Sequence, residues 1–200
     1  MDIQKLATAC EKNGFEFIFV QTKQEALEIV KKHITPNVSV GIGGSTTLEE
    51  TGIQGYLIGR KDIKLFNQYE AGITMNENIR RRREGMIADI YISSTNAITK
   101  KGELVNSDGT GNRVAAQIFG SKKLFIVAGV NKIVEDVTAA IHRIKTVAAV
   151  KNVERLNAKA VSFGKAPSYT VENIANKYGI IENDEKGRTT IILVNESLGY

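Results

Sequence analysis

The chain has few of the residues that build disulfides and metal sites: one cysteine and two histidines in 200 residues, with no tryptophan. A single cysteine excludes an internal disulfide and is compatible with a reducing compartment. His33 and His142 lie far apart in sequence, and no cluster of Cys, His and Asp accompanies either of them. The sequence therefore gives no support to a metal site, and it identifies no cofactor.

Long apolar runs are also missing. The longest runs, such as Leu124–Ala128, fall far short of the ~20 residues that a membrane span needs. Residues 1–14 lack the cationic and apolar regions of a signal peptide. Apolar residues make up 42% of the chain and charged residues 24%, which is ordinary for a globular protein. We therefore expect one cytoplasmic domain over residues 1–200, without a membrane span.

Apolar segments rich in β-formers alternate with segments of helical periodicity. This alternation predicts an α/β fold with a mostly parallel, Rossmann-like three-layer sheet that has helices on both faces. The segment 86–134 is predicted to form a βαβ unit with an inserted β-hairpin. In chain order its parts are a strand (88–92), a hairpin (97–99 against 104–106), a polar loop (106–112), a short helix (113–119) and a second strand (124–130).

The polar residues of this unit form the first candidate site, because ligands bind beyond the carboxyl ends of strands in open α/β sheets. Asp108 is the one carboxylate that could act as a general base, if burial raises its pKa. Turn formation and helix capping account equally well for Asp108 and Asn112, so both interpretations stay open. The predicted ligand-binding residues here are Thr95, Asn96, Gly109, Gly111, Asn112 and Arg113.

A glycine-rich loop after another predicted strand forms the second candidate site. Its predicted ligand-binding residues are Gly43, Gly44, Ser45, Thr46 and Thr47. Glycines let the backbone approach a ligand closely, and the free N–H groups at a helix start attract anions. The alternative is a plain turn in which Thr46 and Glu49 form a capping box and use the same N–H groups. The residues alone favour neither anion binding nor a plain capped turn.

The net charge of +5 owes much to four consecutive arginines, Arg80–Arg83. Such a run can contact the phosphates of a nucleic acid. Cations also suit the last turn of a helix, where the dipole is negative. No interleaved aromatic residues accompany the run, so the helix end is favoured over nucleic-acid binding.

Several runs of the sequence resemble the lactate-utilisation (LUD) domain family, and together they extend over nearly the whole chain. The runs are Gly43–Thr47, Ser94–Thr99, Gly102–Asn106, Asp108–Ala116, Val127–Lys132 and Leu193–Tyr200. The runs within residues 94–132 are the most specific to the family. The resemblance implies a fold shared with glucosamine-6-phosphate deaminase, ribose-5-phosphate isomerase and coenzyme A transferases. It also implies a link to bacterial L-lactate oxidation, in which iron–sulfur proteins are partners.

The sequence departs from these relatives in three respects. Some members have a cysteine-rich segment near the C-terminus, whereas residues 158–185 contain no cysteine. The loop Gly41–Thr46 is similar to the phosphate loop of the isomerase but is one residue shorter. The acidic catalytic motif of the isomerase is not recognisable, although Asp108 lies in a comparable loop.

Three functions remain for testing, in order of preference. The first is a lactate-utilisation subunit that binds an anionic small molecule, with Gly43–Thr47 holding the anion, Arg113 neutralising it, and Asn96 and Asn112 orienting it. The second is an isomerase or coenzyme A transferase; a transferase would use Glu49, Glu50 or Glu103 as its nucleophile. The third is a nucleic-acid or regulatory binding module through Arg80–Arg83. The sequence leaves the ligand undefined and homo-oligomerisation open.

Overall fold

The computed structural model describes residues 2–200. The helices in these residues are α1 (Ile3–Lys12), α2 (Lys23–His33), α3 (Thr46–Glu50), α4 (Ile53–Gly59), α5 (Met75–Met86), α6 (Asn112–Ala115), α7 (Val137–Arg143), α8 (Ala149–Ser162) and α9 (Val171–Ile174). A π-helical turn, Ala116–Gly120, extends α6, and a second, Ile144–Ala148, joins α7 to α8. A 3₁₀ turn, Val130–Lys132, follows one of the strands.

The strands form two sheets. They are β1 (Glu16–Val20), β2 (Ser39–Ile42), β3 (Lys64–Phe66), β4 (Ile90–Ser93), β5 (Ala97–Thr99), β6 (Leu104–Asp108), β7 (Lys123–Gly129), β8 (Ile133–Val134), β9 (Lys177–Ile181) and β10 (Thr189–Val194). The larger sheet has the order β1-β10-β7-β4-β2-β3, and all of its strand pairs are parallel. The smaller sheet has the mixed order β8-β5-β6-β9.

The large sheet confirms the predicted α/β class with a mostly parallel sheet. Its central strands are buried on both faces, which explains why they are continuous apolar runs in the sequence. In β7, Phe125 and Val127 pack with α2, α3 and α4, whereas Leu124 and Ile126 pack on the opposite face with α1 and the smaller sheet. Two cores therefore sandwich the sheet, and the two-residue period of its side chains assigns each residue to one of them.

The inserted hairpin is present, but it belongs to a larger unit than the sequence predicts. Its strands β5 and β6 pair antiparallel, and β8 and β9 extend them to four strands. The sequence predicts a helix over about 171–177, whereas the structure ends α9 at Ile174 and begins β9 at Lys177. In β9, Tyr178 and Ile180 are exposed, and Gly179 is the strand's one fully buried position. The strand therefore lacks the apolar alternation by which it could be recognised.

The chain reverses direction across the large sheet beside β2 and β4. The connection from β2 leads outward to the edge strand β3, whereas β4 leads to β7 and then β10 on the other side. Crevices at such reversals, beyond the carboxyl ends of the strands, are the usual ligand sites of open α/β sheets.

Cys10 lies in α1 and is fully buried, as its position on the apolar stripe of the helix predicts. Burial, assisted by the neighbouring Glu11, raises the pKa of the Cys10 thiol to about 12. A thiol with so high a pKa is a poor nucleophile. Within residues 2–200, no helix has the length and apolar character needed to span a membrane.

Candidate functional site

A cavity of about 570 Å³ opens at the carboxyl ends of β2, β3, β4 and β7. Residues after β2, β4 and β6 line it, together with residues of α8 and α9 and with Tyr200. The two loops that the sequence singles out therefore meet at one place.

Ten of the twelve predicted site residues line this cavity. They are Gly44, Ser45, Thr46, Thr47, Thr95, Asn96, Asp108, Gly109, Asn112 and Arg113. The structure places Gly43 and Gly111 outside the lining. A Cβ on Gly43 would lie 2.4 Å from Ser93 Oγ and 2.9 Å from Ser93 Cβ, so this glycine permits close packing of β2 on β4. Gly111 has φ 84° at the N-cap of α6, a left-handed conformation that favours glycine.

Lys132 is the most unusual residue in the cavity wall. Its side chain is buried, with a relative exposure of 2%, and its ammonium group has no carboxylate within ion-pair distance among residues 2–200. Its Nζ donates hydrogen bonds to Thr47 Oγ1 at 3.0 Å and to Ser94 Oγ at 2.8 Å. Fully buried lysines normally have a charged partner, so an unpaired one in a cavity makes Lys132 a candidate functional residue.

The surroundings of Lys132 favour its neutral form. Burial lowers the pKa of Lys132 to about 7. The guanidinium groups of Arg143 and Arg113 contribute to this shift, whereas Glu50 acts against it. Lys132 therefore exchanges protons near neutral pH, as a general base, a nucleophile or a switchable anion-binding group requires.

Asp108 lies in the cavity wall with an exposure of 6%, but its carboxylate is fully engaged. Oδ2 accepts from the backbone N–H groups of Arg113 at 2.8 Å and Val114 at 2.9 Å, and Oδ1 accepts from the Arg113 guanidinium at 2.7 Å. Three N–H donors therefore occupy both oxygens of the carboxylate. These contacts favour helix capping and ion pairing over proton abstraction.

The Arg113 guanidinium is held in place from several sides. Its Nη2 donates to Ser107 O at 2.8 Å and to Asn96 Oδ1 at 3.3 Å, while its Nη1 makes no hydrogen bond within residues 2–200. The Ser107 hydroxyl also has no hydrogen-bond partner in the described chain, although the residue is only 4% exposed. Polar groups in a protein interior usually have hydrogen-bond partners. The Ser107 hydroxyl and the Nη1 group of Arg113 are therefore free to form hydrogen bonds with a ligand.

One residue of the arginine run points into the cavity. Arg80 and Arg81 pair with Glu77 and other glutamates along or beside α5. Arg82 instead donates from Nη2 to Thr110 Oγ1 at 2.6 Å and to Asn112 Oδ1. The run does lie in the last turns of a helix, as the sequence favours, but one of its four side chains serves the site.

The glycine-rich loop leads into α3, and Ser45 rather than Thr46 caps this helix. Ser45 Oγ accepts from the Leu48 N–H at 3.3 Å, so one of the N–H groups considered for anion binding is already in use. Thr47 Oγ1 accepts from Lys132 and donates to Leu198 O at 3.4 Å. The loop therefore contributes to the site mainly through Thr47, by positioning the buried lysine.

The part of the cavity wall that α8 and Tyr200 form is polar and aromatic. Arg155 of α8 donates from Nε to Tyr200 Oη at 2.8 Å and from Nη2 to Asn152 Oδ1 at 2.8 Å. Tyr69 and Gln68, which follow β3, close the side next to Gly44. Arg155 has no acidic partner in the described chain, so its charge is available to a ligand.

Positive charge predominates in the cavity lining. Besides Lys132, four cationic side chains line it (Arg82, Arg113, Arg155 and Lys159), against two anionic ones (Glu49 and Asp108). Only Arg113 and Asp108 among these form an ion pair with each other. Within residues 2–200, no three or more His, Cys, Asp or Glu side chains are grouped so as to hold a metal ion. The excess of cationic side chains makes the cavity a candidate anion site.

The cavity lining also contains residues that the sequence did not predict for the site, among them Lys132, Arg82, Arg155 and Tyr69. Lys132 carried a usable signal, because it follows an apolar strand just as Ser94 and Asn96 do. Arg155 and Tyr69 carried none, because α8 and the segment after β3 reach the cavity only through tertiary packing.

The sequence profile of the LUD domain matches residues 3–194 of this chain. No curated protein matches the chain in sequence. Among solved structures, a DUF162 family protein from Deinococcus radiodurans is similar, with 12% identity, a TM-score of 0.55 and coverage of 96% of each chain. At that identity the likeness establishes a shared fold.

Two ribose-5-phosphate isomerases are also among the similar structures. One, in complex with phospho-erythronic acid, has 11% identity and a TM-score of 0.45 over 88% of this chain and 95% of its own. The other, from Plasmodium falciparum, has 13% identity and a TM-score of 0.41 over 89% and 95%. Both are more distant from this chain than the DUF162 protein.

Proposed function

Because the chain belongs to the LUD domain family, we propose that it acts in lactate utilisation in the cytoplasm and binds an anionic small molecule in the cavity between α3, α6 and α8. Residues 1–200 act as a single LUD-like domain in this proposal. The ligand is a carboxylate or a phosphate.

The excess of cationic side chains in the wall is the observation that carries the proposal. Arg82, Arg155 and Lys159 have no acidic partner among residues 2–200, and the Nη1 group of Arg113 makes no hydrogen bond there. An arginine can form two parallel hydrogen bonds with a carboxylate or phosphate. Grouped cations also raise the local concentration of anionic ligands.

The size of the cavity favours a ligand larger than lactate. Pockets of roughly 300–1,000 Å³ enclose ligands of drug size, and this cavity of about 570 Å³ lies in the middle of that range. Lactate alone would leave most of the wall without contacts. The ligand is therefore a longer anion, or lactate bound together with a second group.

The same observation supports a second candidate, an isomerase or coenzyme A transferase type of enzyme that acts on a phosphorylated or CoA-linked metabolite. Of the three glutamates considered as a transferase nucleophile, only Glu49 lines the cavity. Glu50 accepts from the Gly199 N–H at 2.7 Å, and Glu103 accepts from Thr99 Oγ1 at 2.6 Å in the hairpin turn. Glu49 is therefore the residue on which a thioester would be sought.

Electron transfer in this scheme belongs to iron–sulfur partner proteins. Iron–sulfur clusters need several cysteine thiolates, and this chain has one cysteine, which is buried in α1. Nucleic-acid binding is the weakest alternative, because Arg80 and Arg81 are paired with glutamates and Arg82 faces the cavity.

Thermal unfolding of the full chain against a ligand panel tests the proposal. The panel contains L-lactate, pyruvate, sugar phosphates, coenzyme A esters and nucleotides. A ligand at about a hundredfold its dissociation constant adds roughly 2.7 kcal/mol to the free energy of unfolding. For a domain of this size, that raises the midpoint by about 5–10 °C.

The outcome of the panel distinguishes the candidates. Stabilisation by carboxylates or phosphates, lost in Arg155→Met, supports an anion site in the cavity. No stabilisation by any anion contradicts it. For the pathway, unchanged growth and oxidation on L-lactate after deletion of the gene would count against a role in lactate utilisation.

A further inference from the structure

The hydrogen bonds of Lys132 leave one direction at its amine unoccupied. The hydroxyl group of Thr47 donates its own proton to Leu198 O at 3.4 Å, and that of Ser94 donates to Thr95 O at 3.3 Å. Both hydroxyl oxygens therefore act as acceptors towards Lys132 Nζ. A neutral amine that donates its two N–H groups to them keeps its lone pair free.

We propose that Lys132 is a nucleophile that forms a Schiff base with the carbonyl group of an anionic substrate. The substrate class is a carbonyl compound that carries a carboxylate or a phosphate, such as a 2-oxo acid or a sugar phosphate. This inference rests on the proposed function, because the same cationic wall holds the anionic end of the substrate.

The chemistry balances without any further reagent. The amine lone pair attacks the carbonyl carbon and forms a C–N bond, giving a carbinolamine. The carbonyl oxygen leaves as water with the two protons that the amine nitrogen loses, and a C=N bond remains. The hydroxyls of Thr47 and Ser94 accept hydrogen bonds from the nitrogen and so hold the amine in place for the attack.

The electrostatic surroundings keep the amine in its reactive form. The charged groups that face Lys132 are Arg143 from α7, Arg113 from α6 and Glu50 from α3. Burial and the two guanidiniums lower the pKa of Lys132 to about 7, against the opposing effect of Glu50. At pH 7 a lysine with this pKa has on the order of a thousandfold more free base than an ordinary surface lysine.

The cavity also contains groups that could hold the rest of the substrate. Lys132 follows β7, Arg155 and Lys159 belong to α8, and all three line the cavity. A substrate whose carbonyl reaches Lys132 can therefore place its anionic end against the cations of α8. The two requirements of the proposal, a free amine and a separate anion site, are met in one cavity.

Borohydride trapping tests the proposal. The full-length protein is incubated separately with glyoxylate, pyruvate and ribose 5-phosphate, reduced with sodium borohydride, and analysed by intact mass and peptide mapping. We expect one adduct per chain, on Lys132, with a yield that rises at least several-fold between about pH 6 and pH 8. An adduct with only the 2-oxo acids or only the sugar phosphate identifies the substrate class.

Three variants control the experiment. Lys132→Met and Lys132→Arg should lose the adduct, the second while keeping a cation at the same position. Lys122→Met should keep the adduct, because it removes an exposed amine that precedes β7 and lies outside the cavity. Circular dichroism on each variant establishes that it is folded.

The outcomes separate this inference from the proposed function. A thermal shift with these probes but no adduct overturns the nucleophile and leaves anion binding standing. Neither a shift nor an adduct contradicts both. Adducts distributed over exposed lysines, and formed equally in Lys132→Met, also overturn the nucleophile.

Discussion

The Nζ atom of Lys132 donates a hydrogen bond to Ser94 Oγ at 2.8 Å, and this bond joins the carboxyl ends of β7 and β4, which are neighbours in the sheet. The lysine is thereby fixed where the strand order reverses. Because no carboxylate pairs with the amine, burying it in the protonated form lowers the free energy of unfolding.

The first prediction concerns this hydrogen bond. Ser94→Ala should lower the free energy of unfolding by about 1–3 kcal/mol, because the buried amine loses one of its two acceptors. In a Lys132→Met background the same change should cost less, since the donor is gone. A double-mutant cycle, measured by denaturant unfolding, should give a coupling of about 0.5–3 kcal/mol. Additive effects would show that the bond contributes nothing.

The second prediction is a rise in stability with pH. The pKa of Lys132 is about 7 in the folded chain, and about 10.4 is expected when the chain is unfolded. Between these values the unfolded chain binds more protons, so the free energy of unfolding rises with pH. Relative to Lys132→Met, the wild type should gain about 1 kcal/mol between about pH 7.5 and pH 8.5. A constant difference would mean an ordinary lysine pKa.

The third prediction distinguishes the two interpretations of Asp108. If Asp108 mainly caps α6 and pairs with Arg113, Asp108→Asn should cost about 3–5 kcal/mol of stability, because it leaves a buried guanidinium unpaired. Asp136→Asn is the matched control, since Asp136 caps α7 at an exposed position where asparagine serves nearly as well. A stable Asp108→Asn protein would reopen the role of general base.

The fourth prediction concerns Gly43, which the sequence assigned to ligand binding. Gly43→Ala should destabilise the protein by about 1–3 kcal/mol, because the new Cβ would overlap with the buried Ser93 side chain. Gly55→Ala should instead stabilise it by about 0.5–1 kcal/mol, since Gly55 lies in α4 with no atom near the added Cβ. Equal effects on thermal midpoints would argue against the packing role.

The strands β4 and β7 and the hairpin between them were predicted to within about two residues at each end, because buried strands and turn residues leave local patterns. Features that depend on tertiary packing leave no such local pattern, and the sequence analysis missed them. β9 is an edge strand whose exposed Tyr178 and Ile180 hide its period. In the arginine run, only the orientation of α5 decides that Arg82 rather than Arg83 faces the cavity.

The site was predicted in part for the same reason. The polar loops after β2 and β4 were found because a general rule places ligands at strand ends. Lys132 obeys this rule too, but it lies just beyond the predicted strand 124–130 and was not predicted as a site residue. Its burial, its lack of a carboxylate partner and the charges around it arise from residues distant in the chain, such as Thr47 and Arg143, and no local pattern contains them.

Calorimetric titration of Arg82→Met and Arg83→Met tests the anion site most directly. The two residues are adjacent in α5, and each substitution removes one positive charge, but only Arg82 lines the cavity. With L-lactate, pyruvate and ribose 5-phosphate as probes, we predict that the ligand that binds loses affinity about tenfold or more in Arg82→Met. Its affinity for Arg83→Met should stay within about twofold of wild type. Equal losses in the two variants, or no binding of any probe to the wild type, would contradict an anion site in this cavity.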